Sequence, residues 1–171
     1  EQYLSKLGLR KFFSQCAHIK MPKILLTIEE IQTLPNPIFF DCKTIIKAES
    51  LAGGLGVKRI RPFEDIRDTV KKFNQKYRGM RFFIEEYISG LEFSLSFLIF
   101  KKKILVSYID REISNFDRNT IDQSYWVDEF PDWSMRVRND ISELIKEKQL
   151  SDGVFHCQFI CDTETKNVYL V

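Results

Sequence analysis

The stretch of sequence that decides the fold runs from residue 82 to residue 94 and reads FFIEEYISGLEFS. It predicts one strand over 81–88, with Glu85 and Glu86 in its second half, and another strand over 92–100. In the second strand, apolar residues at every other position predict one buried face and one more polar face. The connection between the strands exposes backbone C=O and N–H groups close to the carboxylate of Glu92. An exposed acidic strand edge is the alternative interpretation of the two glutamates.

Outward from this stretch, the pattern predicts an α+β fold with antiparallel strands. Thr27 and Glu30 form a capping box ahead of a short helix. The lysine run 101–103 predicts a solvated hairpin turn, and the polar segment 113–131 predicts a loop. The other expected helices cover 4–16, 62–77 and 132–149, and the other expected strands cover 44–47, 57–60, 104–109, 154–161 and 166–171.

Composition narrows the class of protein. The 171 residues carry 26 Lys and Arg against 24 Asp and Glu, a net charge of +2 that weighs against a nucleic-acid binder. A hydrophobic fraction of 44% is typical of a folded globular domain. No apolar run is long enough for a membrane span, and the four cysteines form no CxxC pair, so we expect a protein of the reducing cytoplasm. The apolar ending at 168–171 predicts a fragment cut within a strand.

A glycine-dense segment follows the predicted strand 44–47. Lys47 ends that strand, and Gly53, Gly54 and Gly56 come soon after it. Glycines let backbone N–H groups approach phosphate oxygens, and a nearby ammonium neutralises the phosphate charge. The segment is neither a Walker A loop nor a dinucleotide-binding fingerprint, because both spacings are absent. A flexible hairpin beside a solvated lysine is the alternative.

Three segments, in this order along the chain, resemble the ATP-grasp superfamily of ATP-dependent carboxylate–amine ligases. They are KAESLAGGLGV (47–57), EEYISGLEFS (85–94), and DGVFHCQFI (152–160) followed by VYLV (168–171). The third is most similar to the metal-bearing hairpin of the carbamoyl-phosphate synthetase large subunit and biotin carboxylase type. The resemblance covers essentially the whole chain and implies two α+β lobes with antiparallel sheets that enclose the nucleotide. It divides the chain into a leading helix (1–23), a smaller lid lobe with the glycine loop (24–87) and a larger, truncated lobe (88–171).

The resemblance also implies how the motif residues bind Mg²⁺-ATP. Lys6 and Lys47 would contact the phosphates, Glu92 would bind ribose, and Gln158 would hold Mg²⁺. The loop over the triphosphate would be formed by Gly53, Gly54 and Gly56. Adenine would be bound or flanked by the segment of Glu85, Glu86, Tyr87 and Ile88.

Two further positions concern catalysis and the metal. Arg111 is assigned a catalytic role as a clamp on an acyl-phosphate or γ-phosphate, with a surface ion pair to Asp110 or Glu112 as the alternative. Gln158 stands at a position where a Glu or Gln binds the metal, and a neutral amide contributes less charge to a cation than a carboxylate. By the resemblance, a second metal ligand would fall immediately after Val171.

In the family's chemistry, a carboxylate attacks the γ-phosphate of ATP, and an amine then displaces phosphate from the acyl-phosphate. We therefore expect an ATP-dependent ligase that uses ATP and Mg²⁺, with a small carboxylate and an amine acceptor as partners and neither nucleic acid nor membrane. A homodimer of the longer protein is left open, and the fragment alone is expected to be inactive. The alternative is a non-catalytic ATP-binding module. A kinase-like phosphotransferase is less favoured because no His-Arg-Asp or Asp-Phe-Gly element is present.

Overall fold

The computed structural model describes residues 5–33, 38–51, 55–115, 120–127, 131–148 and 151–171. In these ranges the helices are α1 (Lys6–Phe13), α2 (Ile28–Thr33), α3 (Ile66–Lys76) and α4 (Asp132–Lys148). The strands are β1 (Ile19–Lys20), β2 (Ile24–Thr27), β3 (Thr44–Ala48), β4 (Val57–Ile60), β5 (Phe82–Glu86), β6 (Gly90–Phe100), β7 (Lys103–Asn115), β8 (Thr120–Trp126), β9 (Gly153–Asp162) and β10 (Val168–Leu170). The predicted α+β class with mainly antiparallel strands is confirmed.

The chain packs as two compact units. The first unit contains Pro22–Tyr87 and the chain up to Leu9, and the second contains Arg10–Met21, Ile88–Asn115 and Ile121–Val171. The lobe boundaries implied by the sequence resemblance stay a prediction.

The first unit is an antiparallel sheet in the order β2-β5-β3-β4 with α3 packed on one face. Ile46 of β3 and Ile84 of β5 are fully buried in that face, and the ring of Phe73 on α3 meets the Phe82 ring edge-on at 5.5 Å between centroids. Alternation along the strands sends the next residues, including Lys47 and Glu85, to the other face of the sheet.

The start of α2 shows the predicted capping box. The backbone N–H of Thr27 donates to the Glu30 carboxylate at 2.7 Å, and the N–H of Glu30 donates to the Thr27 hydroxyl at 3.4 Å. These bonds satisfy two donors that the first helical turn leaves without partners.

The second unit is a six-stranded sheet in the order β1-β10-β9-β6-β7-β8, in which β1 and β10 pair in parallel. Helix α4 covers the apolar face, where the Trp133 ring meets the Phe93 ring at 5.2 Å. At the start of β6, a Cβ on Gly90 would lie 2.3 Å from the carbonyl oxygen of Cys161, so only glycine lets the strands approach this closely. The register of β6 and β9 therefore depends on that position.

One predicted segment is wrong in the structure. Residues 113–131 were expected to form a loop, but β7 continues to Asn115, and Thr120–Trp126 forms the edge strand β8. Residues 121–126 are all exposed, so β8 lacks the one-sided apolar alternation that marks a half-buried strand. The lysine turn is confirmed at Lys101 and Lys102, which both have positive φ. In the part of the chain that the structure describes, no helix is long and apolar enough to cross a membrane.

Candidate functional site

In the first unit, a buried ion pair joins two adjacent strands. The amine of Lys47 on β3 lies 2.6 Å from the carboxylate of Glu85 on β5. Lys47 is 8% exposed and Glu85 is 1% exposed. In a buried environment each charge depends on the other to offset its desolvation. The structure therefore brings together two of the predicted site residues on the sheet face opposite the α3 core.

Lys6 approaches the same pair from the start of α1. Its backbone N–H donates to the backbone carbonyl of Glu49 at 3.0 Å. Its side-chain amine donates to the backbone carbonyl oxygens of Ala48, at 2.8 Å, and of Leu51. Burial, and then the positive charge of Lys47, lower the pKa of Lys6 to about 8, while Glu85 acts in the opposite sense. Two ammonium groups thus lie where β3 ends and the glycine segment begins.

Gly56 has a structural reason to be glycine. Its φ is +65°, and a Cβ there would lie 2.7 Å from the Cβ of Ala48. Its carbonyl accepts from the N–H of Ala48 at 2.6 Å, and its N–H donates to the Tyr77 hydroxyl at 3.2 Å. The predicted positions Gly53 and Gly54 lie outside the described residues.

The end of β5 is held on both sides. The backbone N–H of Glu86 donates to the carbonyl of Lys23 at 3.0 Å, and the Glu86 carboxylate accepts from the Lys23 N–H at 2.9 Å. The N–H of Tyr87 donates to the backbone carbonyl of Lys43 at 3.3 Å. The Arg59 guanidinium lies 4.5 Å from the centre of the Tyr87 ring. The backbone of this segment therefore has a fixed course up to Ile88, the first residue of the second unit.

The second unit presents a row of polar side chains on the sheet face opposite α4. Gln158 on β9 pairs with Ser94 on β6, and Glu92 on β6 pairs with Glu112 on β7. The amide nitrogen of Gln158 donates to the Glu112 carboxylate at 2.9 Å, and the Ser114 hydroxyl donates to Glu92. Predicted residues Glu92 and Gln158 thus share one face across adjacent strands.

Glu112 is a member of this row that the sequence did not single out as a site residue. It is 8% exposed. Burial raises the pKa of its carboxyl group above the usual value, while hydrogen bonds from Gln158 and Ser94 act in the opposite sense. Period-2 alternation would have placed Glu112 on this face if β7 had been predicted to extend beyond residue 109.

Arg111 lies on the other face. It pairs with Phe93, whose ring packs against α4, and its side chain is exposed. The structure therefore does not bring Arg111 together with Glu92 and Gln158, and its catalytic assignment stays a prediction that this geometry does not support. In the described ranges, His, Cys, Asp and Glu side chains form no group of three or more that could hold a metal.

Comparison with known proteins shows which solved structures share this fold. No family profile and no curated protein matches the chain. Among solved structures, N5-carboxyaminoimidazole synthetase from Staphylococcus aureus, complexed with ADP, superposes with a TM-score of 0.72 at 14% identity over 99% of this chain and 44% of that one. The biotin carboxylase domain of 2-oxoglutarate carboxylase from Hydrogenobacter thermophilus, with MgADP, ADP and bicarbonate, gives 0.74 at 17% identity over 99% and 39%.

D-Alanine–D-alanine ligase from Helicobacter pylori gives a TM-score of 0.73 at 15% identity over 99% of this chain and 50% of that one. The chain shares the fold of these three structures. The chain has the ATP-grasp fold, and it spans half or less of the length of these neighbours.

Proposed function

We propose that the protein binds Mg²⁺-ATP and, as part of a longer chain, activates a carboxylate as an acyl-phosphate for ligation to an amine. The observation that carries the proposal is the pair of ammonium groups, Lys6 and Lys47, held together in the first unit beside the glycine segment. The Glu85 carboxylate offsets only one of these two positive charges, so the three side chains together keep a net positive charge that favours a bound anion. A triphosphate is such an anion.

In the first unit, Lys6 and Lys47 bind phosphate oxygens, and the segment around Glu86 borders the base through its backbone. The N–H groups of Glu86 and Tyr87 already donate to the backbone carbonyls of Lys23 and Lys43, so the base does not use those two donors. The fixed course of this segment lowers the entropic cost of placing a flat base against it. The sequence-based assignment of Gly53 and Gly54 to the phosphate loop remains part of the proposal.

In the second unit, Glu92 accepts from ribose hydroxyls, and Gln158 holds Mg²⁺. Gln158 fits this metal, because its side-chain amide oxygen is a hard oxygen donor. Proteins commonly bind Mg²⁺ through one or two side chains together with substrate phosphates, so a complete protein cage is not required. When bound, Mg²⁺ neutralises developing charge on the transferred phosphoryl group.

The chain's own residues contribute binding and orientation. A carboxylate oxygen of the substrate attacks the γ-phosphorus, the bond to the β–γ bridging oxygen breaks, and ADP leaves. The neutral amine then attacks the acyl carbon, the bond from that carbon to the phosphate oxygen breaks, and the proton that the amine loses leaves with the phosphate. Lys6 and Lys47 hold the phosphates in line for the first step, a contribution of positioning and charge. The similar structures are named as enzymes, which favours this proposal over a non-catalytic module.

Glu92→Gln tests the nucleotide site by calorimetric titration with Mg²⁺-ATP. A hydrogen bond to a charged group contributes about 1.5 kcal/mol or more, so we expect affinity to fall roughly tenfold. Glu147→Gln is the matched control, because it removes an exposed carboxylate on α4 and should leave affinity unchanged. Absence of binding by the unmodified protein would overturn the proposal, and equal affinity in both variants would remove Glu92 from it.

The pKa of Lys6 predicts a pH dependence of ATP affinity. With a pKa of about 8, Lys6 is mostly charged at pH 7 and loses its proton above pH 8, whereas the triphosphate stays fully charged. Binding then requires proton uptake, so the affinity should fall by up to about tenfold per pH unit above pH 8. Lys6→Arg keeps its charge over this range and should flatten the profile. An identical profile in both proteins would show that the titration of Lys6 does not control ATP affinity in this pH range.

A further inference from the structure

The buried carboxylate of Glu112 is hydrogen-bonded to the side-chain amide of Gln158, the proposed Mg²⁺ ligand. The Gln158 amide nitrogen donates to the Glu112 carboxylate at 2.9 Å. The other groups acting on Glu112 are the Ser94 hydroxyl, the His156 imidazole and the Glu92 carboxylate. Glu112 is thus a buried acid held among polar groups of one sheet face.

A glutamine side chain has an intrinsic ambiguity as a metal ligand. Its oxygen and nitrogen occupy nearly equivalent positions, and rotating the amide by half a turn exchanges them. Only the oxygen can bind a hard cation. An ionised carboxylate accepts hydrogen bonds and donates none, so a carboxylate beside the amide selects the orientation in which nitrogen faces it.

We propose that Glu112 is the positioning residue for Gln158, fixing its amide so that the oxygen is the atom available to the cation. The inference rests on the proposed function, because it requires Gln158 to bind the metal. Ligand-orienting partners of this kind typically change metal affinity by about 10–100-fold when they are removed.

The test measures binding of Mn²⁺-ADP by electron paramagnetic resonance in four proteins: the unmodified protein, Glu112→Gln, Gln158→Glu, and the double variant. Glu112→Gln keeps the shape of the side chain but lets the paired amide rotate, so we expect about tenfold weaker binding. In the Gln158→Glu background both terminal atoms are oxygens, and orientation no longer matters. There, Glu112→Gln should weaken binding by no more than about twofold, a coupling that a double-mutant cycle isolates.

Asp110→Asn is the matched control, because it removes one negative charge from the same face of β7 and should cause a much smaller loss than Glu112→Gln. Circular dichroism confirms that each variant is folded. Equal losses from Glu112→Gln in both backgrounds would show that Glu112 acts on the cation through its charge, which overturns positioning. Unchanged affinity in Glu112→Gln would also overturn it. Failure of the unmodified protein to bind Mn²⁺-ADP would instead count against the proposed function.

Discussion

Lys47→Ala is expected to lower the free energy of unfolding of the first unit by about 3–5 kcal/mol. The substitution removes the ammonium group that lies 2.6 Å from the carboxylate of Glu85. Glu85 is only 1% exposed, so water cannot replace this counterion without opening the sheet. Urea denaturation followed by far-ultraviolet circular dichroism measures the change. Tryptophan fluorescence would not report it directly, because Trp126 and Trp133 belong to the second unit.

The control for this prediction is the double variant Lys47→Met, Glu85→Leu. Replacing both members of a buried ion pair with apolar residues of similar volume is often neutral or stabilising. The double variant should therefore be at least as stable as the unmodified protein, and much more stable than Lys47→Ala. If Lys47→Ala costs no more than the double substitution, an uncompensated Glu85 carboxylate is not the cause of its destabilisation.

The same comparison separates two contributions of Lys47. Weak ATP binding by Lys47→Ala alone could result from partial unfolding. The double variant keeps the fold but lacks both charged groups, so a loss of affinity there reports the loss of this pair from the nucleotide site and not unfolding. Under the proposed function this buried charge contributes both to the fold and to nucleotide binding, and the paired substitution separates the two contributions.

Local patterns of the sequence predicted the elements whose signals are local. The capping box of Thr27 and Glu30 marked the start of α2, and the apolar positions 66, 70 and 73 marked the buried face of α3. The alternation through 93–99 marked β6 and its apolar face. In each case the residues that carry the pattern also make the contacts that stabilise the element.

The remaining features depend on pairing between distant segments. The short strands β1 and β2 have few residues to carry a pattern, and they exist because β10 and β5 lie beside them. Strand β8 is exposed on both faces, so its sequence resembles that of a loop. The early end expected for β7 also hid the separation of Arg111 and Glu112 onto opposite faces. Period-2 alternation separates these two neighbouring charged residues, but it could be applied only once β7 was known to continue to Asn115.

Phe159→Ala is the second substitution expected to have a large effect, lowering the free energy of unfolding of the second unit by about 3–5 kcal/mol. Phe159 is fully buried, pairs with Phe93 across β6 and β9, and lies 6.3 Å from the Trp133 ring between centroids. Truncation leaves a cavity beneath α4. Phe159→Leu fills more of that space and should cost clearly less. Trp133 lines the cavity, so urea denaturation followed by tryptophan fluorescence measures both variants.

Phe159→Ala also tests whether the apolar face of β9 determines stability while its polar face determines metal binding. Its sequence neighbour Gln158 points to the opposite face, so the cavity in Phe159→Ala lies on the far side of the sheet from the proposed metal ligand. Under conditions where the variant is folded, we expect its affinity for Mn²⁺-ADP to stay within about threefold, because the strand pairing with β6 persists. Gln158→Ala should show the reverse, with a large loss of affinity and a smaller loss of stability. If Phe159→Ala weakens binding as strongly as Gln158→Ala, the polar face depends on the apolar packing beneath it, and the two faces of β9 cannot be treated as independent.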